Sequence, residues 1–196
     1  MQFETYSRNP IVLFDIDGTV TEARRLVTRK MIDVLRQLSY ITEIAFVTGS
    51  NLEYAKEQLW PLLANEEIRI NCHILPCNGT EYYIPDPDKL GSFLTIYEAS
   101  MENTIGFEKF QKLMKIGGDT SFDIYPEGWD KTFALKHFPH DLWTHYFIGD
   151  RCYPDGNDFE IFNFLNKEGR AWETSGPEET IEIIEINLMK TLEIGE

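Results

Sequence analysis

Two periods of apolar positions alternate along this chain. Ile11-Val12-Leu13-Phe14 is a short continuous apolar run that stops at carboxylates and a glycine. That is the pattern of a strand buried on both faces. Thr28 then stands ahead of Met31, Val34, Leu35 and Leu38, which recur at helical spacing and predict a helix through about Tyr40. A second apolar run, Glu43-Ile44-Ala45-Phe46-Val47, ends in Thr48-Gly49-Ser50. Asn51 opens the next helix, carrying Leu52, Ala55, Leu59, Leu62 and Leu63, with Pro61 leaving its end open. Residues 68–76 read as a third strand. Strand and helix in this order imply parallel pairing with right-handed crossovers, an α/β fold.

The pattern changes near residue 80. Tyr82-Tyr83-Ile84 and Phe93-Leu94-Thr95-Ile96-Tyr97 are strand-like, with Pro85, Pro87 and Gly91 between them. Residues 105–116 are amphipathic at helical spacing, Gly117-Gly118 stops them, and residues 121–125 alternate as a half-exposed strand. Residues 80–125 are therefore expected to form a reduced α+β cap over the carboxyl end of the main sheet. Residues 1–79 and 126–196 would form the core. The core pattern resumes with a helix led by Gly128-Trp129-Asp130-Lys131 and a buried strand, Thr144 to Ile148, that ends in Gly149-Asp150. A loop leads to Asn157-Asp158 and a helix through Asn166. A short strand at Ala171-Trp172 follows, and a last helix runs from Pro177 to about Lys190.

Bulk numbers narrow the partners. A chain of 196 residues holds one core, or a core plus a small insert. A net charge of −15 argues against a broad nucleic-acid or anionic-membrane surface. A small anionic substrate would need local positive charge. No apolar run approaches membrane-spanning length. Three cysteines, an odd number, with no signal peptide ahead of the first strand, point to a reducing, cytoplasmic setting. Cys72 and Cys77 lack zinc-knuckle spacing, and the four histidines have no metal-like partner set.

The candidate chemistry lies at strand ends and helix starts. Asp15 and Asp17 straddle one residue and lean to the same side of an extended backbone. Two close carboxylates repel unless a cation or a proton intervenes. Gly18 permits a sharp turn, and Thr19 offers a hydroxyl. Alone, this run is equally an acidic turn. The added features are Thr48-Gly49-Ser50, Lys131, and Asp150 with Asn157-Asp158, which a parallel sheet would bring to one rim. Carboxylates, a lysine and hydroxyls at helix starts suit phosphoryl transfer assisted by Mg²⁺.

These same residues carry a family resemblance. Asp15-Ile16-Asp17-Gly18-Thr19, Thr48-Gly49-Ser50, Lys131 and Gly149-Asp150…Gly156-Asn157-Asp158 resemble the four motifs of the haloacid dehalogenase superfamily, whose core is a Rossmann-like parallel sheet. The runs from Ser121 to Lys131 and from Ile148 to Phe162 more narrowly resemble eukaryotic-type phosphomannomutases. The resemblance implies Asp15 as nucleophile and Asp17 as general acid and base. It implies Mg²⁺ on Asp15, the Asp17 carbonyl and Asp150, with Asp158 behind them. Lys131 with Thr48, Gly49 and Ser50 would steady the phosphoryl group. Arg24, Ser121, Asp123 and Asn157 fall at positions expected to meet a phosphorylated sugar. The insert departs from the family, whose larger lid grips the distal phosphate with arginines. No arginine occurs between Arg69 and Arg151 here, and Phe164 stands where a second cation site has its carboxylate. Lys109, Lys112 and Lys115 are candidates to replace the lid's arginines, but Lys112 and Lys115 fall on the polar face of the amphipathic helix, which reads as solvated. The expectation is therefore a phosphatase acting on a phosphorylated sugar through an aspartyl-phosphate. The alternatives are a mutase interconverting mannose 6-phosphate and mannose 1-phosphate, or a non-catalytic module binding a sugar phosphate or partner. Monomer and homodimer both stay open.

Overall fold

A computed structural model describes residues 8–106, 108–109 and 126–194. Ser121 and Asp123, the strand expected over 121–125 and most of the helix expected over 105–116 lie outside the described residues. No helix among the described residues is long and apolar enough to cross a membrane.

Five strands form the parallel part of the sheet. They are β1 (Asn9–Phe14), β2 (Glu43–Val47), β3 (Cys72–Leu75), β6 (Trp143–Gly149) and β7 (Ala171–Glu173). Two more, β4 (Glu81–Pro85) and β5 (Phe93–Glu98), pair antiparallel with each other, and β4 pairs antiparallel with β3. The order is β5-β4-β3-β2-β1-β6-β7. The sequence reading placed the β4–β5 hairpin in the insert, and in the structure it extends the core sheet. The chain builds outward from β1 to β3 on one side, then returns to lay β6 against the other side of β1. The switch in direction lies between β1 and β6, where open α/β sheets place their ligand crevice.

β1 is fully buried from Ile11 to Phe14, as its unbroken apolar run requires. Val12 and Phe14 join a cluster with α1 (Arg29–Leu38), α2 (Leu52–Leu63) and the carboxyl-terminal helical run. Ile11 and Leu13 face the opposite layer, with Ala134, Leu135 and Phe138 and with Ile161 and Leu165 of α5 (Phe159–Asn166). Thr28 caps α1 by accepting from the Met31 amide, and Asn51 caps α2 by accepting from the Tyr54 amide. α2 runs through Pro61, which stands only two residues from its end.

The structure departs in detail from the apolar pattern at three segments and adds a short helix that the pattern does not predict. The strand expected from residue 68 starts only at Cys72, because Asn65 caps a short helix α3 (Glu66–Arg69) and Glu66 and Glu67 suit its first turn. A further short helix, α4 (Met101–Ile105), follows β5 and stops at Gly106 with φ +85°. The helix led by Lys131 is a 3₁₀ segment, Lys131–His137, capped by Asp130. The last helix runs as α6 (Pro177–Ile183), a π turn (Ile184–Leu188) and α7 (Met189–Ile194).

Candidate active site

Strand register brings the chemistry to one rim. Phe14 pairs with Phe46 on one side and Ile148 on the other, so Asp15, the residue after β1, lies level with Val47 and Gly149 at the ends of β2 and β6. The Asp15 amide donates to the Ile148 carbonyl at 3.0 Å, and the Thr48 amide donates to Leu75 at 3.1 Å. Asp15 and Asp150 thus flank the switch between β1 and β6.

Lys131 is the centre of the cluster. It is wholly buried and donates to Asp15 and, at 2.5 Å, to Asp158, which is also wholly buried. Asp158 Oδ2 accepts from the Arg151 amide at 3.1 Å, which ties the loop after β6 to the start of α5. Carboxylate oxygens of Asp15, Asp150 and Asp158 lie within 4.8 Å of one another. Three carboxylates around one ammonium leave a net negative centre in a largely dehydrated place. The electrostatics follow. Burial pushes the Asp15 carboxyl up to about 7; Lys131 opposes the rise, and Asp158 and Asp150 add to it. Burial, then Asp158, raises Asp150. Burial alone would lower Lys131, but Asp15 and Asp158 outweigh it and hold the ammonium above its ordinary value.

The 3₁₀ segment that delivers Lys131 is docked from behind by the turn after β3. His137 Nε2 donates to the Gly79 carbonyl at 2.7 Å. A Cβ on Gly79 would meet the Ala134 backbone at 2.7 Å, and φ there is +85°. Only glycine satisfies both demands. The same turn holds the second motif: the Asn78 amide donates to Thr48 and the Cys77 amide to Ser50, while Thr48 Oγ1 accepts from the Ser50 amide at 3.1 Å.

Gly18 is the other obligatory glycine. Its φ is +82°, and a Cβ would stand 2.4 Å from Asp150 Oδ2, so the turn after Asp17 lies directly against Asp150. The Asp17 carboxylate points elsewhere. Its Oδ1 accepts from the Arg24 amide at 2.7 Å and from Gln58 Nε2 at 2.6 Å. Arg24 is exposed, has φ +58°, and lays its guanidinium over the Tyr54 ring at 5.7 Å from the centroid. The structure therefore brings together Asp15, Asp150, Asp158 and Lys131, with Asp17 and Thr48-Gly49-Ser50 on the same rim. Asn157 is exposed on the loop before α5. Sequence reading missed Gln58. The available signal was a polar residue on the stripe of α2 that also carries Ala55, Leu59 and Leu62.

The donor set suits a divalent cation. Asp150 Oδ1 is buried with no hydrogen-bond partner among the described residues, and the neighbouring donors are hard oxygens. Both features fit Mg²⁺.

Solved structures place this architecture in a class. An IMP-nucleotidase from Plasmodium falciparum superposes with a TM-score of 0.64 at 12% identity, covering 96% of this chain and 68% of that one. A haloacid dehalogenase-like hydrolase from Bacteroides thetaiotaomicron superposes with a TM-score of 0.57 at 15% identity, covering 95% and 99%. The fold is the Rossmann-like α/β core of the haloacid dehalogenase superfamily.

Sequence comparison is narrower. The model of the eukaryotic phosphomannomutase family matches residues 99–190. Phosphomannomutase 1 of Dictyostelium discoideum is 32% identical over 220 residues, covering 79% of this chain and 87% of that protein. A phosphomannomutase of Arabidopsis thaliana is 28% identical over 232 residues, covering 87% and 93%. The chain belongs to the eukaryotic phosphomannomutase family and is an enzyme of the haloacid dehalogenase type. Its share of the Dictyostelium alignment, 79% of 196 residues or about 155, is spread over 220 positions, so the relative carries some 65 residues that this chain lacks within the aligned span.

Proposed function

We propose that this enzyme removes the phosphoryl group of a phosphorylated sugar by way of an aspartyl-phosphate on Asp15, and that it releases inorganic phosphate. The observation that carries the reading is the buried Asp15–Lys131–Asp158 arrangement beside Asp150, with the Asp17 carboxylate held apart from it. Asp15 attacks phosphorus, the bond from phosphorus to the sugar oxygen breaks, and that oxygen takes the proton of Asp17. Water then gives a proton to Asp17 and attacks phosphorus, and the bond to Asp15 breaks. Lys131 keeps Asp15 aimed and offsets charge on the transferred oxygens, with Thr48 and Ser50 on the facing side. Asp158 holds Lys131 in place. Asp15, Asp150 and the Asp17 carbonyl are the residues that would hold Mg²⁺, whose positive charge lets an anionic substrate approach a negative centre.

The cap expected over residues 80–125 is reduced further, since its β4–β5 hairpin belongs to the core sheet, and the Dictyostelium relative's some 65 additional residues accord with a larger lid in that protein. A mutase must retain a bisphosphorylated intermediate and turn it over, which requires a second anion site. The absence of arginine between Arg69 and Arg151 favours hydrolysis. Family membership favours the second reading, interconversion of mannose 6-phosphate and mannose 1-phosphate. One experiment decides. The protein is mixed with Mg²⁺, mannose 1-phosphate and a catalytic amount of glucose 1,6-bisphosphate and followed by phosphorus NMR. Inorganic phosphate alone is expected; mannose 6-phosphate would replace the phosphatase reading with the mutase.

A further inference from the structure

We infer that Gln58 is a positioning residue for the reaction, fixing the Asp17 carboxylate so that its Oδ2 is the atom that gives and takes the proton. The inference rests on the phosphoryl-transfer reading above and adds to it the device that makes Asp17 usable.

Asp17 Oδ1 receives two hydrogen bonds, from Gln58 Nε2 at 2.6 Å and from the Arg24 amide at 2.7 Å. Both are donors and neither can accept through the atom concerned. A proton on Oδ1 would face two other hydrogens, so a proton carried by this carboxyl resides on Oδ2 whatever else changes. Oδ1 can accept both bonds in the carboxylate and, more weakly, in the carboxylic acid, so the same two donors serve either form. The arrangement therefore holds the rotamer through a full cycle in which Asp17 is first acid and then base.

Gln58 is suited to this and to little else. It is only 4% exposed, on a helix face otherwise packed by Ala55, Leu59 and Leu62. Burial of an amide at an apolar position is unfavourable unless it is hydrogen-bonded. Here the amide is hydrogen-bonded to Asp17, a residue 41 positions away in the chain. The loop from Thr19 to Val27 is fastened to the same ridge of α2. The Val27 amide donates to the Gln58 carbonyl at 2.9 Å. Arg24, which supplies the second amide to Asp17, lays its side chain over Tyr54, one helical turn before Gln58. Gln58 thus holds Asp17 directly through its side chain and holds the loop through its backbone. Its hydrogen bonds are to Asp17 and to Val27 of the loop, so its effect runs through Asp17.

The test compares two leaving groups in the full chain with Mg²⁺. Phenyl phosphate releases a phenolate that needs protonation as it departs. 2,4-Dinitrophenyl phosphate releases an anion that does not. Single-turnover release of each phenol is measured for the parent protein, for Gln58→Leu, which keeps the packing without the donor, and for Gln58→Ala. Losing orientation of the general acid should lower the ratio of phenyl to dinitrophenyl release by roughly 10–100-fold. The change should appear in the maximal rate more than in KM. Thermal melts of both variants check that the fold survives. A stable Gln58→Leu protein whose two rates fall in equal proportion, or do not fall, refutes the positioning role while the parent's activity leaves the phosphoryl-transfer reading standing. A parent protein inert toward both compounds and toward mannose 1-phosphate refutes that reading and this one with it.

Discussion

Lys131 allows the sharpest quantitative test of the site. Replacing it with Met keeps most of the volume and removes the ammonium that Asp15 and Asp158 share in full burial. Breaking a buried ion pair by deleting one partner destabilises by about 3–5 kcal/mol, because the other charge stays behind without compensation. For a domain of this size each kcal/mol moves the midpoint by roughly 2–4 °C, which gives a fall in Tm of about 6–20 °C. The pH dependence identifies the cause. Asp15 already carries a folded-state pKa of about 7 against an ordinary 3.8, and Lys131 is the main influence holding it down. Without Lys131 the folded pKa rises further. A carboxyl whose folded pKa lies above its unfolded value binds more protons in the folded state, so stability falls as pH rises between the two. The deficit of Lys131→Met relative to the parent should therefore be smaller at pH 5.5 than at pH 8. Saturating Mg²⁺ should restore part of it at pH 8 by replacing the missing positive charge. The assay is thermal unfolding by circular dichroism at both pH values, with and without the metal. A Tm within about 2 °C of the parent at pH 8, or a deficit that does not grow with pH, would refute the reasoning.

Two further outcomes follow from the same geometry. Asp15→Asn should abolish turnover of any phosphomonoester yet leave the metal-free Tm no lower than the parent's, since it removes one of three clustered negative charges at nearly constant volume; retained activity would remove Asp15 as nucleophile. His145 is buried, its Nε2 donates to the Phe138 carbonyl at 2.6 Å, and burial, with His140, Arg170 and Arg8 nearby, lowers its pKa to about 4 despite that hydrogen bond. The unfolded chain then binds the extra proton first, so this residue's contribution is lost as pH falls from 6.5 toward 4, by about 3 kcal/mol. Asp15 acts in the opposite sense over the same range, so the effect is read as a difference: urea unfolding of His145→Gln should lose less stability than the parent between pH 7 and pH 4.5, and parallel curves would exclude His145 as the cause.

Much of the core was legible because burial on both faces writes itself as an unbroken apolar run. Ile11 to Phe14 and Ile44 to Val47 are such runs, and both are strands with no solvent contact. Caps at Thr28 and Asn51 fixed where helices begin. The reading failed where short segments depend on local hydrogen bonds. Ile68 and Ile70 are spaced like one face of a strand, yet Ile68 is buried at 0% exposure and Ile70 is 64% exposed, because the chain turns through a one-turn helix capped by Asn65. The β4–β5 hairpin has strand composition wherever it lies. Nothing local says that Tyr83 pairs with Ile74 of the core sheet rather than with strands of a separate lid.

The site divides along the same line. That Asp15, Lys131, Asp150 and Asp158 would meet at one rim, with Asp17 beside them, was legible because each sits at the boundary of an element, where a charged residue has no packing reason to be. Gln58 sits inside a helix, and its role exists only through a partner 41 residues away. Its single sequence trace is an amide on an apolar stripe, which also describes many glutamines that merely reach past the core to solvent. What separates the two cases is burial: at 4% exposure the amide must find a partner inside, and the Asp17 carboxylate is that partner. In the proposed mechanism, the general acid is positioned by a residue whose own placement is dictated by hydrophobic packing. The helix that closes the core on one face of the sheet also fixes the Asp17 carboxylate at its rim, the group to which the proposed mechanism gives the proton transfer.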